Sequence, residues 1–314
     1  DRPADGKLTD LWAKSMAIED SHGNRSVIVT LDLVGIDRDT TQEILESVKN
    51  RFGLSRQSIA LSTSHTHSGP VVGDNLKAMY FMDDAAWKQV ESYTAELIEN
   101  IVDVVGRSLE DIKPANVHWT VGRAKFAVNR RNNAEKDVPE LRAADRLNGP
   151  VDHDLPILII SDQEGNKRAI LCGYACHATV LSGYQWCGDW PGYAQIAIEE
   201  RYPGITAMTW VGCGADQNPL PRREIELAKQ YGNAIDAAVA DALSKPLIPI
   251  QGRIDNRYSE IPLEFAELPN REKLLATANS ENRYEAARAR LLISQWDRDG
   301  GLPKTYPYPV QTWR

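Results

Sequence analysis

The first 65 residues alternate between strand-like and helix-like patterns, and this alternation constrains the fold more than any other feature of the chain. Ser26 to Gly35 is a β-branched, apolar run, and the apolar side chains of Asp39 to Phe52 recur at helical spacing. Gln57 to Leu61 is a second, shorter strand candidate. A strand, a helix and a strand in this order predict a βαβ unit with two parallel strands and a right-handed crossover.

The rest of the chain continues this mixture of helices and strands. Further helices are predicted over Ala85 to Leu109, Tyr193 to Arg201, Arg223 to Ser244 and Arg271 to Trp296. Further strands are predicted over Asn116 to Val121, Leu155 to Ile160, Arg168 to Tyr174 and Ile205 to Gly212, and a hairpin turn joins the second of these to the third. Asn129 to Gly149 has no clear period and is predicted to be a long surface excursion near a site. These patterns predict an α/β fold with a mixed sheet flanked by helices.

The length of the chain and its two ends bear on the domain organisation. With 314 residues, 42% of them hydrophobic, the chain can bury one large core or two modest ones. It begins at Asp1 instead of Met, and Pro309 to Arg314 reads as the start of a strand. We therefore expect residues 1–314 to form a single α/β domain of catalytic type that is truncated at both ends.

Charge and hydropathy exclude two classes of partner. Lys and Arg total 36 against 44 for Asp and Glu, and no stretch combines clustered basic residues with aromatic ones, so nucleic acid is excluded. No apolar run approaches the roughly 18 residues of a transmembrane helix. The remaining partner class is a small-molecule or lipid-like substrate, and the sequence leaves the oligomeric state open.

Two histidines stand two positions apart at the end of a predicted strand, in the run Ser62-Thr-Ser-His65-Thr-His67-Ser-Gly-Pro70. In extended backbone the side chains at i and i+2 face the same way, so both imidazoles would project from the strand end, where open α/β sheets bind their ligands. The pair could bind zinc jointly, or one ring could bind while the other acts as an acid, a base or an oxyanion donor. Polar turn residues held by hydrogen bonds are the structural alternative.

Other polar residues also follow predicted strands. His177, in Gly173-Tyr-Ala-Cys-His-Ala-Thr179, is a candidate partner of His65 in a metal site, with a purely structural histidine as the alternative. Asp189 precedes a helix and could cap it or accept a hydrogen bond from a ligating histidine. Asp216 and Gln217 lie in a glycine-rich loop and are candidate polar site groups, although a plain turn explains them equally well.

The remaining histidines and the cysteines are interpreted as structural. His153 is the least certain histidine, because Asp152 and Asp154 flank it and could complete a metal site. The cysteines form no CxxC pair and are interpreted as buried thiols, the alternatives being one disulfide or a cysteine ligand beside His177. The four are Cys172, Cys176, Cys187 and Cys213.

Four of these segments, in this order, resemble motifs of the neutral/alkaline, non-lysosomal ceramidase family, zinc amidases that cleave the amide of N-acylsphingosine. The likeness covers about Leu11 to Asp241, and its first motif is the most specific. The segments are Ser64-His-Thr-His-Ser-Gly-Pro70, Ala175-Cys-His-Ala-Thr179, Gly188-Asp-Trp-Pro-Gly-Tyr-Ala194 and Gly214-Ala-Asp-Gln-Asn-Pro219.

The resemblance implies roles for individual residues. His65 and His177 would be zinc ligands, and His67 a catalytic or oxyanion-side group. Asn129 and Arg130 match an Asn-Arg pair whose arginine lies near the family's active centre. The family's other two zinc ligands, a glutamate and a tyrosine, are expected further along than Arg314. The sequence leaves the location open, and the resemblance is compatible with a secreted or periplasmic one.

The chain departs from the family pattern at the nucleophile. The family's G-D-x-S-P-N loop has a serine where Gln217 stands here, and a glutamine side chain cannot accept an acyl group. A zinc-bound water is then the expected nucleophile, and the expected activity is zinc-dependent hydrolysis of an amide or related bond. Two alternatives remain: a non-catalytic member that binds a ligand or metal, and a metallophosphoesterase that uses Asp32, His65, His67 and Asp189.

Overall fold

The structure is a computed structural model that describes residues 2–314. The strands in this range are β1 (Gly6–Lys7), β2 (Ala13–Glu19), β3 (Arg25–Leu31), β4 (Ile59–Thr63), β5 (Asn116–Arg123), β6 (Ala127–Asn129), β7 (Asp154–Ser161), β8 (Lys167–Tyr174), β9 (Gln185–Trp186), β10 (Thr206–Val211), β11 (Gln217–Pro219), β12 (Ile248–Pro249), β13 (Asn256–Glu264) and β14 (Thr305–Trp313). The α-helices are α1 (Arg38–Phe52), α2 (Asp84–Glu110), α3 (Val138–Ala143), α4 (Asp189–Arg201), α5 (Ile225–Leu243), α6 (Arg271–Thr277) and α7 (Arg283–Asp299).

The βαβ unit predicted at the amino terminus is present as β3, α1 and β4. The two strands are parallel, with Val27 opposite Ile59. The Asp37 carboxylate accepts a hydrogen bond from the backbone N–H of Thr40 and so caps α1, which ends at Gly53 in the left-handed conformation. The predicted first strand was too long at its end, because β3 stops at Leu31 and the chain then turns toward the helix. The strand β2, which pairs antiparallel with β3, was not predicted.

A second, five-stranded sheet has the order β10-β8-β7-β5-β12. β10 and β8 are parallel and the other pairs are antiparallel, so the sheet is mixed and the predicted α/β fold is confirmed. The helices α4 and α5 pack against each other, and their apolar side chains join those of the sheet in the largest core of the protein. Fully buried members of this core include Leu155, Ile157, Ile159, Ile170, Trp190 and Ile198.

Several predicted boundaries were wrong for local reasons. α4 begins at Asp189 instead of Tyr193, since the intervening Pro191 is tolerated in a first helical turn. The helix predicted from Arg271 is two helices, α6 and α7, and the side chain of Asn282 caps the second. Within residues 2–314, β14 pairs only with β13 and is therefore an edge strand. It can contain prolines because proline is tolerated at sheet edges. The excursion after Asn129 contains the short helix α3.

Two further predictions concern the burial of the cysteines and the presence of a membrane-spanning helix. All four cysteines are free; Cys172, Cys176 and Cys187 are buried as predicted, whereas Cys213 is exposed. Within residues 2–314, every helix is too short or too polar to cross a membrane.

Candidate active site

Three histidines that follow strands of two different sheets come together in one cluster. His65 follows β4 and His177 follows β8, which belong to different sheets, yet their ring centroids lie 4.9 Å apart. The ring of His67 lies 5.0 Å from that of His65 and 6.4 Å from that of His177. The structure therefore brings together the three histidines that the sequence singled out.

The backbone around His65 explains why two of these rings share one side. Burial alternates along this segment, with Ser64, Thr66 and Ser68 buried, His65 partly buried and His67 exposed. The buried hydroxyl of Thr66 donates to the carbonyl of Cys187 at 2.7 Å, which ties the segment to the turn before α4. His65 itself has a φ of 60°, a left-handed conformation that non-glycine residues adopt mainly where surrounding structure imposes it.

Two of the three imidazoles are oriented by backbone carbonyls. His65 Nδ1 lies 2.7 Å from the carbonyl oxygen of Val34, and His177 Nδ1 lies 2.6 Å from that of Gly214. A carbonyl oxygen can only accept, so each Nδ1 carries the proton and each Nε2 is left with a free lone pair. The Nε2 atoms of His65 and His67 are 3.4 Å apart, so the lone pair of His65 faces the ring of His67. Metal-binding histidines commonly donate their other ring N–H to a backbone carbonyl, as His65 and His177 do here.

Gly214 can approach His177 only because it lacks a side chain. A Cβ on Gly214 would lie 2.6 Å from the backbone nitrogen of Cys176 and 2.9 Å from its Cα, which is closer than real Cβ contacts. The same loop accepts a second bond, from the N–H of His177 to the carbonyl of Gln217 at 2.9 Å. The glycine-rich loop therefore fixes both the backbone and the ring of His177.

Asp189 supports the backbone segment after His177. The hydrogen bonds of its carboxylate come from backbone N–H groups and not from the imidazole of His177. Its carboxylate accepts backbone hydrogen bonds from Leu181 at 2.8 Å, Trp190 at 2.7 Å and Val180 at 3.3 Å. It is the first residue of α4, so it does not cap that helix. Burial raises its pKa to about 6. The neighbouring Trp190 donates its indole N–H to the carbonyl of His177 at 2.8 Å.

Asn129 and Arg130 lie beside the loop that contains Asp216. Asn129 Nδ2 donates to the Asp216 carboxylate at 3.2 Å, and Asn129 Oδ1 accepts from the backbone of Arg131 and Asn132, so this side chain organises a turn. The backbone N–H of Arg130 donates to the carbonyl of Asp216 at 2.8 Å. The Nε of Arg130 is buried and has no hydrogen-bond partner within residues 2–314. That atom is therefore an uncompensated buried donor.

Gln217 is buried, and both polar atoms of its side chain contact backbone groups. Its Oε1 accepts from the N–H of Asp152 at 2.9 Å, and its Nε2 lies 3.4 Å from the carbonyl of Cys213. The side chain therefore joins two loops beside the site. His153, next to Asp152, is engaged elsewhere, with its Nε2 3.0 Å from the carbonyl of Ala127.

A second arginine at this site was missed by the sequence reasoning. Arg222 is only 16% exposed in its side chain and makes a two-point ion pair with Glu135, with an Nη2 to Oε2 distance of 2.7 Å. The following residue, Arg223, donates its backbone N–H to Val180 at 2.8 Å, three positions after His177. The adjacent arginines after Pro221 were the available signal, but they resemble an ordinary charged turn.

The electrostatic environment of the histidines is positive. Partial desolvation and the charges of His65, His177, Arg222 and Arg130 lower the pKa of His67 to about 4. Desolvation, together with Arg130 and His65, also lowers the pKa of His177. The lowered pKa values suit His67 and His177 to remain neutral at pH 7, the state in which an imidazole can bind a metal.

The donor set fits a zinc ion only in part. Two oriented imidazoles with free Nε2 lone pairs are donors that Zn²⁺ prefers. A catalytic zinc site has about three protein ligands, however, and no group of three or more His, Cys, Asp or Glu residues arranged to hold a metal ion is found within the described range 2–314. The described residues thus fit part of a zinc site.

Asp32 lies close to this region but is committed to the fold. It is 4% exposed, accepts from the backbone N–H of Trp12 at 3.0 Å and lies 3.4 Å from the side-chain amide of Gln195. Burial raises its pKa to about 6, although the nearby Lys14 acts in the opposite direction. A raised acid pKa means that the folded state holds this proton more tightly than the unfolded state does.

The ionised Asp32 should therefore destabilise the fold above pH 6, and this penalty should disappear as the pH falls through 6 toward 4. We expect Asp32→Asn to raise the free energy of unfolding by about 2–3 kcal/mol at pH 8 and to change it little at pH 4. Urea unfolding of both proteins at the two pH values measures this difference. Equal destabilisation by Asp32→Asn at pH 4 and at pH 8 would contradict the raised pKa of Asp32.

Comparison with known proteins supports the likeness seen in the motifs. The profile of the family described as neutral/alkaline non-lysosomal ceramidase, N-terminal, matches residues 1–213. Neutral ceramidase B of Dictyostelium discoideum is 28% identical over 198 residues, which are 61% of this chain and 27% of that protein. Neutral ceramidase 1 of Arabidopsis thaliana is 25% identical over 227 residues, which are 70% of this chain and 28% of that protein.

Solved structures share the fold. A ceramidase complexed with C2 superimposes with a TM-score of 0.72 at 15% identity, covering 98% of this chain and 57% of that one. The neutral ceramidase of Pseudomonas aeruginosa gives a TM-score of 0.70 at 16% identity, covering 98% of this chain and 56% of that one. The aligned part of this chain thus covers 27–28% of the length of these two curated relatives. In the structural comparison it covers 56–57% of the two solved chains. Since the family profile matches most of its residues, the chain belongs to the neutral/alkaline non-lysosomal ceramidase family.

Proposed function

We propose that this protein is a zinc-dependent amidohydrolase that cleaves an N-acyl amide bond of the ceramide type. The observation that carries the proposal is the convergence of His65 and His177. They are more than a hundred positions apart in the chain, yet their rings lie 4.9 Å apart and each is held through Nδ1 by a backbone carbonyl. Family membership supports the reaction class, because the matching relatives are named neutral ceramidases.

The proposed zinc ligands from this chain are the Nε2 atoms of His65 and His177. Bound zinc would supply Lewis acidity, which polarises a scissile carbonyl and brings the pKa of a water molecule near neutrality. Val34 and Gly214 contribute their carbonyl oxygens, which keep the two rings in one tautomer and one orientation.

The other polar residues would act on the substrate. His67, the exposed ring of the cluster, can donate an N–H to the oxygen that gains negative charge as the amide is attacked. Arg130 would add a positive charge that favours this oxygen, and the same charge contributes, after desolvation, to the lowered pKa of His67 and His177. Asp216, held by Asn129, is the carboxylate of this loop that could accept a proton from an attacking water.

The nucleophile in this proposal is water. A glutamine amide is not an acyl acceptor, and both polar atoms of Gln217 contact Asp152 and Cys213. We therefore assign Gln217 to positioning the loop that contacts His177, through the bond between the His177 N–H and the Gln217 carbonyl. Asp189 would serve the same end by fixing the chain after His177.

A metallophosphoesterase is less well supported by the same site. That activity needs the carboxylates of Asp32 and Asp189 as metal ligands. Asp189 accepts three backbone hydrogen bonds, and Asp32 accepts from Trp12 and lies next to Gln195. Both side chains are buried, so neither offers a free carboxylate to the histidine cluster.

The proposal is tested by turnover with zinc and without it. Purified protein is incubated with an N-acylsphingosine of short acyl chain, the matching ester and a phosphoester, first with zinc and then with a chelator. We expect release of the fatty acid from the amide, loss of this activity with the chelator and recovery when zinc is restored. Absence of amide turnover by the zinc-loaded protein would favour a non-catalytic member, and turnover of the phosphoester alone would favour the phosphoesterase.

A further inference from the structure

A cavity of about 880 Å³ lies where the chain leaves β13, forms α6 and α7 and returns to β14. This volume is in the range of about 300–1,000 Å³ that is usual for pockets holding small organic molecules. The lining residues lie between positions 265 and 307, so they are separate in the chain from the histidine cluster. We infer that this cavity binds a long-chain fatty acid, with the alkyl chain among its apolar walls and the carboxylate at Lys273 and Arg288.

The walls of the cavity are mainly apolar and come from three elements. α6 contributes Leu274, α7 contributes Ala289 and Leu292, and the ends of the β13–β14 sheet contribute Phe265 and Tyr306. Leu274 and Ala289 are buried, whereas Phe265 is 48% exposed and Tyr306 is 40% exposed. Large apolar side chains exposed around a concave surface are typical of ligand-binding grooves. An alkyl chain in the cavity would remove them from water, which favours binding in proportion to the apolar area covered.

The two helices that form the walls are held together by contacts outside the cavity. Arg271, the first residue of α6, pairs with Asp297 of α7 at 3.0 Å. At the other end of α6, Arg290 of α7 donates to the carbonyl of Ala278 at 2.9 Å. The cavity is therefore formed without a ligand, and a pre-formed site lowers the entropic cost of binding.

The charges at the cavity favour an anionic ligand. α6 and α7 carry six basic side chains, and four of them have partners within the protein: Arg271 with Asp297, Arg283 with Phe81 and Tyr284, Arg290 with Ala278 and Arg298 with Asp299. The other two, Lys273 and Arg288, both line the cavity. Within residues 2–314, neither of these side chains has a hydrogen bond, an ion pair or a ring contact. Glu267 also lines the cavity without pairing with either cation, so the lining keeps a net charge of +1.

A ligand that combines a long alkyl chain with one carboxylate matches both properties of the cavity. The carboxylate would accept hydrogen bonds from the Lys273 ammonium and the Arg288 guanidinium. A neutral lipid would gain nothing from these cations, and a short organic anion would leave the apolar walls in water. A fatty acid is also the acyl product of the amide hydrolysis proposed above. The inference does not depend on that reaction, because binding can be measured without turnover.

Calorimetry with four ligands, each kept below its micellar concentration, tests the two halves of the inference. Dodecanoate carries the alkyl chain and the charge, hexanoate shortens the chain, 1-dodecanol removes the charge and dodecylammonium reverses it. We expect one dodecanoate per chain, bound about 10-fold or more tightly than hexanoate, because each buried methylene contributes about 4-fold. Dodecanoate should also bind about 5-fold or more tightly than dodecanol, and dodecylammonium should bind more weakly than dodecanol.

A substitution that fills the cavity locates the binding site. Leu292→Trp places a larger ring among the apolar walls and should weaken dodecanoate binding by about 10-fold or more. Leu291→Trp is the matched control, since Leu291 is the preceding residue of α7, is 45% exposed and does not line the cavity. This control should bind dodecanoate as the wild-type protein does. Circular dichroism identifies any variant that fails to fold.

Substitution of the two cations tests the recognition of the carboxylate. In the double variant Lys273→Gln with Arg288→Gln, the affinity for dodecanoate should fall to that for dodecanol, while dodecanol binding stays unchanged. Arg298→Gln is the matched control, because Arg298 belongs to the same helix but pairs with the neighbouring Asp299 at 2.8 Å. Both side chains of the double variant are exposed, so its fold should be retained.

The results decide the inference whether or not an amide is hydrolysed. Absence of saturable dodecanoate binding by the folded protein would overturn it, and so would binding that survives in Leu292→Trp. Equal affinity of the wild-type protein for dodecanoate and dodecanol would overturn the role of the two cations. A dimer that dissociates in Leu292→Trp, without any binding of dodecanoate, would assign the cavity to a second copy of the chain and also overturn the inference.

Discussion

Replacement of His177 by alanine is expected to lower kcat/KM for the N-acyl amide by about 10³-fold or more. The reason is the loss of one of two proposed zinc ligands, because zinc as a Lewis acid contributes several kcal/mol and each 1.4 kcal/mol is about tenfold in rate. The stability of the fold should change much less, by about 1 kcal/mol for the hydrogen bond between His177 Nδ1 and the Gly214 carbonyl. Initial rates and urea unfolding measure the two effects separately.

His22 offers the matched control for this experiment. It is an exposed turn residue, and among residues 2–314 its ring has a hydrogen-bond contact only with the hydroxyl of Ser21, at 3.4 Å. We expect His22→Ala to retain the activity of the wild-type protein. Activity in His177→Ala within a few-fold of the wild type would remove His177 from the mechanism.

The largest effect on stability is expected for Trp190→Ala. Trp190 is 1% exposed and packs among aromatic rings, with Phe126 at 5.5 Å and Tyr174 at 5.7 Å between centroids. Removal of a buried tryptophan costs about 3–5 kcal/mol, and here it also removes the hydrogen bond to the His177 carbonyl. The free energy of unfolding in urea should fall by at least the upper part of this range.

Trp190→Phe separates packing from hydrogen bonding. The variant keeps an aromatic ring in the core but lacks the indole N–H, so we expect it to lose about 1–2 kcal/mol. Because the carbonyl of His177 is then free, amide turnover should fall more than stability alone explains. If Trp190→Ala costs less than about 1 kcal/mol, the packing described around α4 is wrong.

Local apolar periodicity was sufficient to predict much of the fold. α1 buries Ile44 and Val48 at helical spacing, so its pattern is visible in the sequence. β2 is a different case, because only Met16 among its residues is buried and the strand forms through its pairing with β3. The break between α6 and α7 was not predicted either. It depends on the capping side chain of Asn282, which lies in a charged stretch with helical character on both sides.

The candidate site was predictable where side chains project from strand ends. The spacing of His65 and His67 and the position of His177 after β8 were enough to single these residues out. The position of Arg222 near the site was not predictable, since it depends on an ion pair with Glu135, 87 positions away, and on the contact of the next residue with Val180. Contacts over such separations are made by tertiary packing and leave no local pattern.

Zinc content is the most direct measure of the central claim that His65 and His177 share one metal ion. Wild-type protein, His65→Ala, His177→Ala and the control His22→Ala are equilibrated at the same free zinc concentration, desalted and analysed by mass spectrometry for metal. We predict about one zinc per chain for the wild type and His22→Ala, and only background zinc for the other two variants. Equal zinc in all four proteins would contradict the account, as would a wild-type protein that binds none.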